Sequence, residues 1–161
     1  MPADNVTPFR RPPKRPAAPQ QSGGLGFKTH RGKAVLSQLL ALLAFAFNFA
    51  VPFLFAGTQF YTIGWIAGLA LAIAAGFFAF TNRGGSNPWA NTHHEHALRT
   101  LIIGWAIWTL GSMLGYIHGA LAVGTLFVHA IVALWAIIRA GIGLVLALMR
   151  KPIPNARGWL I

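Results

Sequence analysis

Apolar positions along this chain do not alternate with polar ones at a helical or strand period; they run together in four blocks. The first, residues 34–57, "AVLSQLLALLAFAFNFAVPFLFAG", carries no charge, and about 20 apolar residues suffice for an α-helix to cross the hydrocarbon of a bilayer. Further spans are expected at residues 60–80, 98–117 and 120–138, and Pro52 is expected to kink the first. A basic stretch before an apolar one also describes a secretory signal. Here both are longer than a signal's, so a retained helix is expected.

The polar positions orient these blocks. Arg10, Arg11, Lys14, Arg15, Lys28, Arg31 and Lys33 precede the first span, Arg83 and Arg99 flank the second connection, and Arg139, Arg150, Lys151 and Arg157 follow the fourth. The first and third connections, "TQFYT" and "HGA", hold neither Lys nor Arg. Cationic loops stay on the cytoplasmic side. The sequence therefore predicts an all-α membrane protein of four transmembrane helices with both termini cytoplasmic, preceded by an extended basic Pro/Gly-rich arm. A three-span alternative requires one of the first two blocks to be re-entrant. The expected divisions are an arm over 1–33, a transmembrane domain over 34–149 and a cytoplasmic tail over 150–161.

Composition narrows the partners. Thirteen basic residues against Asp4 and Glu95 give a formal charge of +11, which alone fits nucleic acid or an anionic membrane surface. The apolar blocks decide for the membrane, with anionic lipids as partners and no nucleic acid. The arm is too polar and Pro-rich to build a core. Its prolines favour an extended form, with Phe9 as an apolar anchor and Arg10, Arg11, Lys14, Arg15, Lys28, Arg31 and Lys33 as contacts to lipid or to the carboxylates of a partner subunit. There is no cysteine, which removes disulfides, thiolate clusters and thioether haem attachment.

Within the spans, small residues at four-residue spacing, Gly64, Gly68, Ala72 and Gly76 in the second and Gly111, Gly115 and Gly119 in the third, let backbones approach. They serve packing inside the bundle or a docking groove for a neighbouring protein or a pigment tail. The densest chemistry is "HHEHALRT", residues 93–100, at the entry to the third helix, which Asn91 or Thr92 is expected to cap. His93, His96 and Thr100 share one face, and His94 and Glu95 point elsewhere. A zinc site needs three or four protein ligands, and the H-E-x-x-H spacing is absent, so no metal site is expected. His129 lies at the centre of the fourth span, where an ionisable group is costly. It is either neutral and hydrogen-bonded to Asn48, Ser112 or a backbone carbonyl, or part of a proton or solute path, or a ligand to haem or chlorophyll. A nucleophile with a matched base, a carboxylate pair and a phosphate loop are all missing, so enzymatic activity is not expected.

Trp89, His93, Arg99 and Thr100, then Arg139 on a long helix, then "KPIPNARGWLI", form a pattern that resembles a family of small uncharacterised bacterial inner-membrane proteins. That family is loosely grouped with a membrane subunit of the chloroplast inner-envelope protein-import machinery. The resemblance covers residues 60–161 and departs from the family at Ile142, where a second basic residue is frequent. It implies no chemistry. Arg99 and Arg139 are expected to snorkel to lipid phosphates, Trp89 and Trp159 to lie in the interfacial layer, and His93 to bond the "PIPN" turn. Together these residues would form a structural clasp. The expected function is that of a non-catalytic inner-membrane accessory or assembly subunit of a larger complex, such as an energy-converting one. A transport or translocation component and a haem- or chlorophyll-binding subunit using His129 are the alternatives.

Overall fold

The computed structural model describes residues 25–84 and 87–159, with the side chain of Phe53 left out. Phe9, Arg10, Arg11, Lys14 and Arg15 lie outside the described residues. The chain is an all-α membrane protein with four helices long and apolar enough to span a bilayer: α1 (His30–Phe55), α2 (Phe60–Asn82), α3 (Pro88–Ile117) and α4 (Ala122–Leu148). No strand occurs among the described residues. Three short connections make the helices antiparallel neighbours. Within the third, a single 3-10 turn over Gly119–Leu121 is opened by the His118 ring, whose Nδ1 accepts from Ala120 N at 3.2 Å.

Local chemistry sets the helix ends. Thr29 caps α1, its Oγ1 accepting from Gly32 N at 3.0 Å while donating to the Gly26 carbonyl at 2.8 Å. Gly32 is required there, because the backbone at Leu25 and Gly26 crosses where its Cβ would stand. α1 therefore begins four residues before the expected apolar block and continues through Pro52 to Phe55. The cap expected at Asn91 or Thr92 is corrected: α3 starts at Pro88 with Asn87 as N-cap. Proline at the first helical position forfeits an N–H that would have had no intrahelical partner. Asn91 instead accepts from Gly84 N at 2.6 Å, closing the α2–α3 connection.

α4 runs ten residues beyond the expected span and ends in a Schellman turn. Lys151 N donates to Leu146 O at 2.9 Å and Arg150 N to Ala147 O at 3.1 Å, with Arg150 at φ 57° in the left-handed position usually given to glycine. That turn sends residues 151–159 back along the bundle end. Arg31 also reaches this end, donating to Leu148 O at 2.8 Å. The start of α1 and the end of α4 are thus neighbours.

α1 packs on each of the other helices and α3 on both α2 and α4, whereas α2 and α4 do not touch among the described residues. The core is built on alanine: Ala41 and Ala44 of α1, Ala75 and Ala79 of α2, Ala97 of α3, and Ala136 and Ala140 of α4 are fully buried around Phe45 and Trp108. Lipid offers side chains as apolar a surrounding as a protein core does, so close backbone approach has to supply the association energy. The expected glycine stripe is partly used. Gly64 faces Val51, Gly68 lies on the Asn48 amide, Gly111 meets Val128, and Gly115 meets Thr125. Gly76 and Gly119 meet nothing within 4 Å, and Gly119 lies beyond the end of α3.

Gly104 was not singled out by its spacing, yet its missing Cβ makes room for the Phe45 ring at the centre of the bundle. Gly104→Ala is expected to cost about 1–3 kcal/mol, because the ring is enclosed and cannot swing away. Gly76→Ala should be neutral or should gain up to about 1 kcal/mol from helix propensity. Thermal melting of the two variants in detergent checks the contrast; equal midpoints would contradict it.

Candidate functional site

At about 1.5 Å per residue α3 is about 45 Å long, well over the about 30 Å of hydrocarbon. Its first turns project beyond the other side of that slab if its apolar end stays inside. There the polar residues of α3 meet residues 151–159, and a buried network ties three helices to that segment.

Gln38 of α1 lies at the network's inner corner and is fully buried. Its Nε2 donates to His93 O at 2.8 Å and stands 3.4 Å from His96 Nδ1. Both hydrogens of the amide are thereby directed at α3, and Nδ1 of His96 is the acceptor. Nε2 of His93 donates to Lys151 O at 2.9 Å, which leaves Nδ1 of that buried ring with a lone pair and no partner. Trp89 covers the ring edge-on, with centroids 5.6 Å apart. Thr92 Oγ1 donates to Trp89 O at 2.7 Å and accepts from Ile153 N at 3.0 Å. Two successive residues of α3 thus hold the backbone either side of Pro152.

Arg139 is the other anchor. Only 1% exposed, it is the largest fully buried side chain among the described residues, and the expectation that it snorkels to lipid phosphate is corrected. It lies nine residues before the end of α4, and its guanidinium is enclosed within the bundle end. Its Nε donates to Thr100 Oγ1 at 3.0 Å, and one terminal nitrogen donates to Gly158 O at 2.7 Å. Thr100 in turn donates to His96 O at 2.8 Å. The guanidinium lies over Trp135, 5.7 Å from its centroid, and Trp135 Nε1 donates to Trp159 O at 3.3 Å. Arg99, by contrast, is half-buried and pairs with Glu95 at 2.7 Å, a one-turn pair on the same helix.

The structure therefore brings Trp89, His93, Thr100, Arg139 and Trp159 together around residues 151–159 and leaves Arg99 apart. The contact expected between His93 and the "PIPN" turn falls on Lys151, one residue earlier. Gln38, Thr92 and His94 were missed. An amide inside a charge-free span is costly unless bonded, and that signal marked Gln38 as clearly as it marked His129.

His129 has its own site, in the half of the α3–α4 pair next to their connection. Its Nε2 stands 3.0 Å from both Trp108 O and Ser112 Oγ, and Ser112 donates to the same carbonyl at 3.0 Å. The carbonyl requires a hydrogen on Nε2, so Nδ1 holds the lone pair. The ring stacks on Trp108 at 4.1 Å and 4°. Asn48, named as a partner for His129, donates instead to Ala44 O at 2.7 Å within α1. Among the described residues no three His, Cys, Asp or Glu side chains stand together as a metal site would require.

The fold and the network define a class: an all-α, four-span membrane protein with a polar clasp at one end of the bundle. No family model matches the chain, and neither a curated protein nor a solved structure matches it.

Proposed function

We propose that this is a non-catalytic accessory or assembly subunit of a larger complex in the bacterial inner membrane, with both ends of the chain on the cytoplasmic side. The observation that carries the reading is how the polar groups are spent. Gln38, Thr92, His93, Thr100 and Arg139 are bonded to one another or to backbone carbonyls and amides, so they shape a surface rather than face a substrate. The orientation rests on the bundle end that carries Arg31, Lys33, Arg83 and Arg150 being the cytoplasmic one. The resemblance to small inner-membrane proteins agrees with it. The rigid clasp end presents a fixed face to a partner, and the basic arm over 1–33 adds charge-assisted contacts beside it.

Gentle solubilisation followed by mass spectrometry is expected to recover the chain with one reproducible set of integral membrane proteins. Deleting residues 1–27 should leave the bundle inserted and folded and reduce that recovery, most strongly at raised salt, where exposed ion pairs are screened. Recovery of the intact chain alone at low and high salt would sink the proposal.

A further inference from the structure

A second polar feature stands beside the clasp and belongs to none of its bonds. The start of α1, the end of α2 and the start of α3 enclose a cavity of about 300 Å³, at the lower end of ligand-pocket volumes. Lys33 and His30 line it from α1, Asn82 and Arg83 from the end of α2, and Asn87, Ala90, Asn91 and His94 from α3.

Both charged side chains in this wall, Lys33 and Arg83, are cations. The α3 N-terminus opens here with Asn87 as N-cap, and the Asn87 side chain makes no capping bond; the first-turn N–H groups of such a helix attract anions. Lys33 and His30 lie within electrostatic reach of His94. The Arg83 guanidinium rests on the Phe80 ring at 4.1 Å, a stacking that holds the side chain and leaves its N–H edges for another acceptor. Glu95, the one acidic side chain among the described residues, is occupied by Arg99.

An independent observation points to a ligand. His94 is 3% exposed and forms part of the cavity wall, with Phe78 of α2 edge-on to its ring at 6.4 Å. Its Nδ1 is buried with no hydrogen-bond partner. A buried ring nitrogen left unbonded costs free energy comparable to a lost hydrogen bond, a cost that a hydrogen-bonding group reaching the His94 ring from the cavity would remove. Two cations, a helix N-terminus and the amides of Asn87 and Asn91 make a set of donors suited to the oxygens of a phosphate. Basic pockets between spanning helices on the cytoplasmic side are where acidic phospholipid headgroups are held.

We propose that this cavity binds a phosphate group, with Lys33 and Arg83 as its charged contacts and the first turn of α3 as its backbone contact. The chemistry is shared by an acidic lipid headgroup and by a free phosphate ion, and the experiment separates them. The full chain is placed in nanodiscs of pure phosphatidylcholine and of nine parts phosphatidylcholine to one part phosphatidic acid, and retained lipid is read by native mass spectrometry. Inorganic phosphate is titrated calorimetrically against the full chain in uncharged detergent.

Retention of phosphatidic acid without a phosphate isotherm identifies a lipid headgroup. A saturable isotherm in the submillimolar range identifies free phosphate. In either case Lys33→Gln and Arg83→Gln should each weaken binding by about tenfold, the loss of one charge-assisted bond. Lys28→Gln, outside the cavity, should leave it unchanged. Arg83 is exposed, so its variant keeps the fold even if Lys33→Gln does not. The inference is overturned if neither probe binds saturably, or if Arg83→Gln and Lys28→Gln bind alike, since the attraction would then come from surface charge in general.

Discussion

Arg139→Ala is expected to lower the thermal midpoint in detergent and to release residues 151–159. The side chain is large and 1% exposed, so its removal leaves a cavity, and it strips a donor from Thr100 Oγ1 and from Gly158 O. The cavity and the orphaned acceptors together should cost about 3 kcal/mol, equivalent to a fall of about 6–12 °C for a chain of this size. The opposing effect is relief of burying a charge. It is the smaller one here, because the guanidinium is bonded on two sides and stacked on Trp135. Arg139→Lys should recover little, since an ammonium keeps the charge and loses the planar fork that spans Thr100 and Gly158. Release is read by trypsin at Arg157, which precedes Gly158: cleavage should be slow in the native chain and fast in both variants. An unchanged midpoint with unchanged protection at Arg157 would refute the role given to Arg139.

The second large effect is expected at Gly143. Its missing Cβ is replaced by the amide of Gln38, which lies against the α4 backbone. A flexible glutamine would ordinarily turn aside. This one is pinned by His93 O and His96 Nδ1, so Gly143→Ala either forces α1 and α4 apart or breaks those bonds, at a cost of about 2–4 kcal/mol. Gln38→Ala alone should cost about 2 kcal/mol, as it leaves the His93 carbonyl and the His96 ring nitrogen unmet. In that background the space is already empty, so adding Gly143→Ala should cost nothing further and should return up to about 1 kcal/mol on propensity grounds. A double-mutant cycle with simple additivity would show that the two residues do not share this space.

How far the molecule could be read beforehand depended on whether a property was local. The four spans follow from uncharged length alone, which lipid makes decisive. Helix ends depended on single side chains: Thr29 caps α1 ahead of the apolar block, and Pro88 starts α3 ahead of the polar residues named as caps. Trp89, His93, Thr100 and Arg139 were recognisable as a group through a resemblance. What each does was not, because the bonds run between positions 39, 58 and 61 residues apart. Arg139 was placed at a helix end since the apolar run stops at it, yet α4 continues for nine more residues and turns the side chain inward. Gln38 and Gly143, on different helices, had no common signal in the chain at all.

The Schellman turn at Arg150 also imposes an order of events. Residues 151–159 are synthesised after all four helices, and they supply the Lys151, Gly158 and Trp159 carbonyls that His93, Arg139 and Trp135 require. While α3 and α4 enter the bilayer, the guanidinium of Arg139 and the imidazole of His93 must therefore be satisfied by water or headgroups, which holds that end of the bundle hydrated and open. Its closure is therefore expected only after insertion. A nascent chain arrested between α4 and Gly158 would display an unfinished, solvated pole that membrane proteases and chaperones can distinguish from the closed one.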